Sequence, residues 1–194
     1  MSMIGCFYAL KDEDLNAIIE NPKRLRNLWT APTLTPQIES KPSLLSKLFG
    51  ANATPKAQSD SWIPSEKPEE FDVDKAWQGI HFLLTGSDWE GDGPLAFMLH
   101  GGREIKEDLG YGPPHGFTSG EVKEIVRALD PVNGDELYAN ADPAEFAAKD
   151  IYPQIWDSEP KEECIGYVTD YLTQLKEFLT RVAQSNRALI VYLG

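Results

Sequence analysis

Residues 2–10 are almost all apolar and β-prone, which predicts an opening strand. Leu15, Ile18 and Ile19 then recur at helical spacing behind Asp12 and Asp14, so a helix is expected to about Glu20 with one of the two aspartates as its cap. Asn21-Pro22 stops it, and Pro22 can open a short helix over residues 23–29. The periodicity then lapses. Residues 30–70 carry six of the fourteen prolines and read as a long connection with one amphipathic turn at 43–49. It returns at 72–86, where Val73, Ala76, Trp77, Ile80 and Leu84 form an apolar helical face between a capping Asp72 and a stopping Gly86. Asp74, Gln78, His81 and Thr85 make a polar stripe beside that face.

A Gly- and acid-rich turn at 87–94 and a short apolar segment at 95–99 follow. The glycine-rich stretch 101–116 predicts irregular backbone with strand pieces near 103–105 and 110–112. Thr118-x-x-Glu121 is a capping box for a helix to about Leu129, with Val122, Ile125, Val126 and Leu129 as its buried face. Asp142-Pro143 starts another short helix. Ser158-Glu159-Pro160 opens the longest helix, to about Ser185, with Val168, Leu175 and Val182 on its centre line. Ile165, Leu172 and Leu179 flank one side, and Cys164, Tyr171 and Phe178 the other; so broad an apolar face belongs to a deeply packed helix. Asn186 suits a left-handed cap, and residues 188–193 form the last strand. The expected fold is a single α+β domain over residues 1–194. It is mostly helical, with a small mixed sheet that includes strands from both termini and a long buried C-terminal helix.

Charge narrows the function. The 194 residues carry a net charge of −13, and it is uneven: residues 1–60 sum to +1 and residues 61–194 to −14. An acidic chain lacks the basic footprint that DNA or RNA requires, so nucleic acid is excluded as a general partner. A solvated acidic surface accounts for such charge, and so does a docking face for a basic protein. Cys6 and Cys164 are too few for a disulfide scaffold or a four-cysteine zinc site. Met3-Ile4-Gly5-Cys6 resembles a lipoprotein box only faintly, with five residues before the cysteine, and no secretory signal pattern precedes it. Apolar runs are strand-sized, and the two lysines near 44–49 supply little attraction to a membrane, so a cytoplasmic protein without membrane contact is expected.

Catalytic signatures are sparse. No phosphate-binding loop, dinucleotide fingerprint or His-Glu-x-x-His occurs, and Gly116-Phe117-Thr118-Ser119-Gly120 centres on threonine where a nucleophile elbow needs serine. Asp88-x-Glu90-x-Asp92-Gly93 matches the first half of a calcium loop, but Leu99 stands where the bidentate glutamate belongs. No metal or other cofactor is expected, with Asp88, Glu90 and Asp92 as the weak alternative. His81 borders an apolar helix face, where an imidazole can act as acid, base or donor, or simply bond a backbone carbonyl. Tyr111-Gly-Pro-Pro-His115 and Ile151-Tyr152-Pro153-Gln154-Ile155-Trp156 are stiff loops carrying rings, suited to a pocket wall, a partner surface or a cover over the core.

Met-Ile-Gly near the start, Trp77-x-x-x-His81-x-Leu83-Leu84-Thr85-Gly86, Tyr111-Gly112-Pro113, Ile151-Tyr152-Pro153 with Trp156, and the long helix ending in a short strand together resemble the YfbM-like family of small bacterial proteins. The resemblance covers the first strand and most of residues 71–194. It implies a single cytosolic α+β domain and supplies no activity, since that family is a domain of unknown function.

Two functional readings follow. The first is a non-catalytic binding protein for a basic protein partner, one form being immunity-type sequestration. The second is a small-molecule binder or enzyme with an aromatic pocket around His81. Its walls would come from Tyr111, Tyr152 and Trp156, with Trp77 and His115 as further ligand- or partner-binding candidates, and its helper carboxylates from Asp74, Asp88 or Asp150.

Overall fold

A computed structural model describes residues 2–30 and 62–194. The expected turn at 43–49 and most of the proline-rich segment lie outside the described residues. The chain runs β1 (Gly5–Leu10), α1 (Asp12–Glu20), a 3₁₀ turn (Pro22–Arg26) into α2 (Asn27–Thr30), then β2 (Glu69–Asp72) and α3 (Trp77–Thr85). It continues through β3 (Arg103–Glu104), β4 (His115–Phe117), α4 (Ser119–Leu129), α5 (Gly134–Asn140), α6 (Pro143–Ala148), α7 (Lys161–Gln184) and β5 (Ala188–Leu193).

The five strands form one sheet in the order β2-β1-β5-β4-β3. The two ends of the chain pair at its centre, with Gly5 opposite Leu193 and Leu10 opposite Ala188, as expected. Every pairing is antiparallel, where a mixed sheet was expected. β5 follows α7 directly through left-handed Asn186 and runs opposite in direction to both of its neighbours, β1 and β4.

Strand alternation divides the core in two. Phe7, Ala9, Leu189 and Val191 face α3, α4 and α7, while Tyr8, Leu10, Ala188 and Ile190 face Leu15, Ile18, Leu25 and Leu28. The sheet is therefore covered on both sides, and α7 buries Cys164, Ile165, Val168, Leu172, Leu175, Phe178, Leu179 and Val182 on the larger side. The capping box of α4 is formed in both directions, and Ser119 also donates its N–H (2.8 Å) and hydroxyl (2.5 Å) to Asp12.

Several local expectations change. Asp72 ends a strand instead of starting a helix, and its carboxylate accepts the Asp74 N–H at 3.0 Å to open a 3₁₀ turn ahead of α3. The strand it ends, Glu-Glu-Phe-Asp, is an edge held by charge: Arg187 reaches Glu66 at 3.0 Å and Glu69 at 3.6 Å. Residues 110–112 are not a strand; His115–Phe117 is, because Gly116 lets β4 pass close to Leu15. Asp14 is buried and accepts the Ser65 N–H and hydroxyl, which ties the segment ahead of β2 to α1.

Candidate functional site

α3 organises the site. Trp77 and His81 lie one turn apart on it and both are fully buried. The acidic turn 88–93 folds back over them, so that the polar stripe read as a helix border points into the protein. His81 Nε2 lies 3.1 Å from the Glu90 carbonyl, and His100 Nε2 bonds the carbonyl of Trp89. A carbonyl only accepts, so both nitrogens carry protons and two imidazoles hold consecutive peptide groups of one turn. Gln78 completes the frame by donating to the Asp88 carbonyl (3.1 Å) and accepting the Tyr152 N–H (2.8 Å). The turn 88–90 and the corner at Tyr152 thus sit beside each other across the start of α3.

This frame displays Trp89, half of whose surface is exposed (51%), above Trp77 at 5.8 Å between ring centres. Beside it opens a hollow of about 270 Å³ walled by Trp89, Tyr111, His100, His115 and Tyr192, with Met98, Leu99 and Leu193 beneath. His115 Nδ1 bonds the Gly101 carbonyl at 2.7 Å, which ties β4 to the glycine pair after His100. Gly102 has φ of 62° and would bring a Cβ within 2.6 Å of the Gly116 carbonyl, so only glycine passes there. On the far side of His100 lies a second depression, about 410 Å³, lined by Asp92, Glu121 and Glu124. A larger one, about 570 Å³, lies along α7 near Lys176 and Arg181 and contains none of the candidate residues.

The structure sorts the sequence candidates. Tyr111 and His115 share the hollow. Trp77 stacks with Tyr152 at 5.9 Å behind it, and the Tyr152 hydroxyl accepts the Met3 N–H. His81 is sealed behind His100, ring centres 6.0 Å apart, and has no opening to solvent. Trp156 is elsewhere: it packs on Phe146 at 4.5 Å and donates its indole N–H to the Ile151 carbonyl, which makes it a core anchor. A pocket centred on His81 with Trp156 as a wall is therefore corrected to one centred on Trp89 and His100. Neither residue was a candidate from sequence, although a tryptophan in an acidic, glycine-rich turn has no helical or strand periodicity to bury it, which is itself a signal. The helper carboxylates do not converge. Asp74 accepts the Tyr167 hydroxyl at 3.0 Å, and Asp150 is an exposed residue at φ 53°.

Burial pushes the His81 imidazole below the usual histidine range. The Glu90 carbonyl and the Asp88 charge favour its protonated form, His100 opposes it, and desolvation outweighs them. Its Nδ1 and the Trp77 indole nitrogen are buried without a hydrogen-bond partner among the described residues. Burial likewise raises the Cys6 thiol and the Tyr192 hydroxyl, so neither is an activated nucleophile. Cys6 and Cys164 are unpaired. Among the described residues, no group of three or more His, Cys, Asp or Glu is placed to hold a metal ion. The Asp88-Glu90-Asp92 turn instead has its carbonyls taken up by Gln78, His100 and His81. The hollow is thus walled by rings, two imidazoles and Glu90, and among the described residues no serine or cysteine lines it.

Charge gathers next to this frame. Residues 130–163, which include α5, α6 and the start of α7, expose ten carboxylates against two lysines. None of the ten forms an ion pair with a described residue; the ion pairs of the fold involve Glu66, Glu69 and Glu107. No helix among the described residues is long and apolar enough to cross a membrane.

Comparison with known proteins gives a family and a fold. A family described as Domain of unknown function (DUF1877) matches residues 1–192. Among solved structures, the chain is similar to YfbM from Escherichia coli, a protein of unknown function, with a TM-score of 0.64 and 16% identity over 98% of this chain and 99% of that one. At that identity the likeness establishes the α+β fold alone. A search of curated proteins finds no match.

Proposed function

The chain belongs to the DUF1877 family, and we propose that it is a non-catalytic binding protein whose acidic helical end engages a basic protein partner. The observation that carries this reading is the run of ten exposed carboxylates over residues 130–163, none of them ion-paired with a described residue. Unpaired like charges repel one another in the free protein and gain when a complementary surface arrives, which raises association rate and specificity. Sequestration of a basic partner is one use such a surface serves. A small-molecule binder or enzyme is supported less well. The ring-walled hollow, about 270 Å³, falls below the ~300–1,000 Å³ of ordinary ligand pockets, and His81 is closed to solvent.

The test is capture on the immobilised chain from bacterial lysate at low salt, followed by affinity measurements with the purified protein recovered. The reading expects a basic protein that binds saturably and weakens steeply as salt rises. Recovery of nothing above background, or of a partner whose affinity ignores salt, refutes it.

A further inference from the structure

We infer that the hollow beside Trp89 is the seat of a single arginine side chain from the basic partner, a deepening that rests on the binding role proposed above. Two rings face it with much of their surface free: Trp89 is 51% exposed and Tyr111 37%. They are the only tryptophan or tyrosine side chains of its wall left so open, since Tyr192 is packed against Tyr8 at 5.9 Å. Large rings held open on rigid backbone are costly to leave in water and bind well once covered. The backbone that carries Trp89 is held, because imidazoles clamp its own carbonyl and the next one, and Tyr111 is carried by a Gly-Pro-Pro loop.

Charge selects the occupant. Among the described residues, Glu90 is the one acidic residue lining the hollow, and no lysine or arginine lines it. The adjoining depression adds Asp92, Glu121 and Glu124, again with no basic residue. The protein as a whole carries −13. Glu90 and the carboxylates of the adjoining depression disfavour an anionic ligand, and a neutral one would leave Glu90 unused. A cation placed over an indole face gains from the ring quadrupole, and a guanidinium does so best because it is planar and weakly hydrated. Size agrees: about 270 Å³ admits one long side chain. Gln78 also ties the turn that carries Trp89 to the 130–163 segment, by bonding the Asp88 carbonyl and the Tyr152 N–H. A partner lying on the carboxylates of that segment can therefore set an arginine between the rings.

The full chain, ¹⁵N-labelled, is titrated with the blocked peptide Ac-Gly-Arg-Gly-NH₂ and with its citrulline counterpart, which keeps the shape and loses the charge. The Trp89 indole N–H, identified through Trp89→Phe, and the imidazoles of His100 and His115 report occupancy. The expected result is saturable shifts at these groups with arginine, at least about tenfold weaker with citrulline. Trp89→Ala and Glu90→Gln each weaken the response about tenfold, with the remaining spectrum unchanged as evidence of folding. Equal response to citrulline overturns the inference, as does no saturable shift at Trp89. Shifts confined to residues 130–163 overturn it too, while leaving the acidic docking reading standing.

Discussion

His81→Gln probes the clamp on the 88–90 turn, and its effect depends on pH. The imidazole is fully buried, and burial holds it below the usual histidine value of about 6.5. Well above pH ~6.5 the group is neutral in both states and adds no pH dependence. As pH falls below that value, the unfolded chain takes up a proton that the folded chain refuses, so stability declines. It continues to decline until pH reaches the depressed folded value. One proton sets the ceiling at about 1.4 kcal/mol per pH unit, or up to about 1.4 kcal/mol between neutral pH and pH ~5.5. Burial opposes a charge there more than the Glu90 carbonyl and Asp88 favour it; Nδ1 has no acceptor among the described residues, and His100 lies 6.0 Å away. Glutamine can still donate to the Glu90 carbonyl but fills the site less well, which costs about 1–2 kcal/mol at neutral pH. Urea unfolding of both proteins from pH ~7.5 to ~5.5 should show a clear deficit for the variant at the upper end, closing by up to about 1.4 kcal/mol at the lower. A deficit that stays constant across that range refutes the reasoning, because His81 would then not be a neutral, desolvated clamp.

Gly79→Ala should destabilise by about 1–2 kcal/mol, since its Cβ would sit 2.8 Å from Val168 Cγ2 and outweigh the gain in helix propensity. Combining it with Val168→Ala should restore at least about 1 kcal/mol relative to the sum of the single changes; strict additivity in urea unfolding would contradict the close approach of α3 and α7. Asp12→Ala should cost about 1–2 kcal/mol by removing both acceptors of Ser119 at the start of α4. A thermal midpoint unchanged by that substitution would show that the cap contributes nothing.

Elements written in local chemistry were legible in the sequence. The Thr118–Glu121 box, the apolar face of α7, left-handed Asn186 and the two terminal strands are specified by neighbours a few residues apart, and the structure contains them where they were expected. Elements defined by distant partners were not. Glu69–Asp72 looks like an acidic linker, because its strand character comes from pairing with β1 and from Arg187. His115–Phe117 is too short to show a period. The site divides in the same way. Tyr111 and His115 could be picked out as rings on stiff loops, but His81 reads as a helix border only until the 88–93 turn closes over it. That closure, made by carbonyls nine and eleven residues away from the imidazoles that bind them, is also what moves Trp89 and His100 into the leading positions.

The claim that the acidic helical end is the docking face is tested most directly by moving charge without changing its total. One variant neutralises Glu145, Glu162 and Glu163, and a control neutralises exposed Glu20, Glu70 and Glu177 away from residues 130–163. Both have the same net charge, and their affinities for the captured basic partner are compared at one salt concentration. The first variant should bind at least about tenfold more weakly, and the control should stay within about twofold of the unmodified protein. Equal weakening of the two would mean that the partner responds only to overall charge, and no weakening in either would place its footprint on another surface.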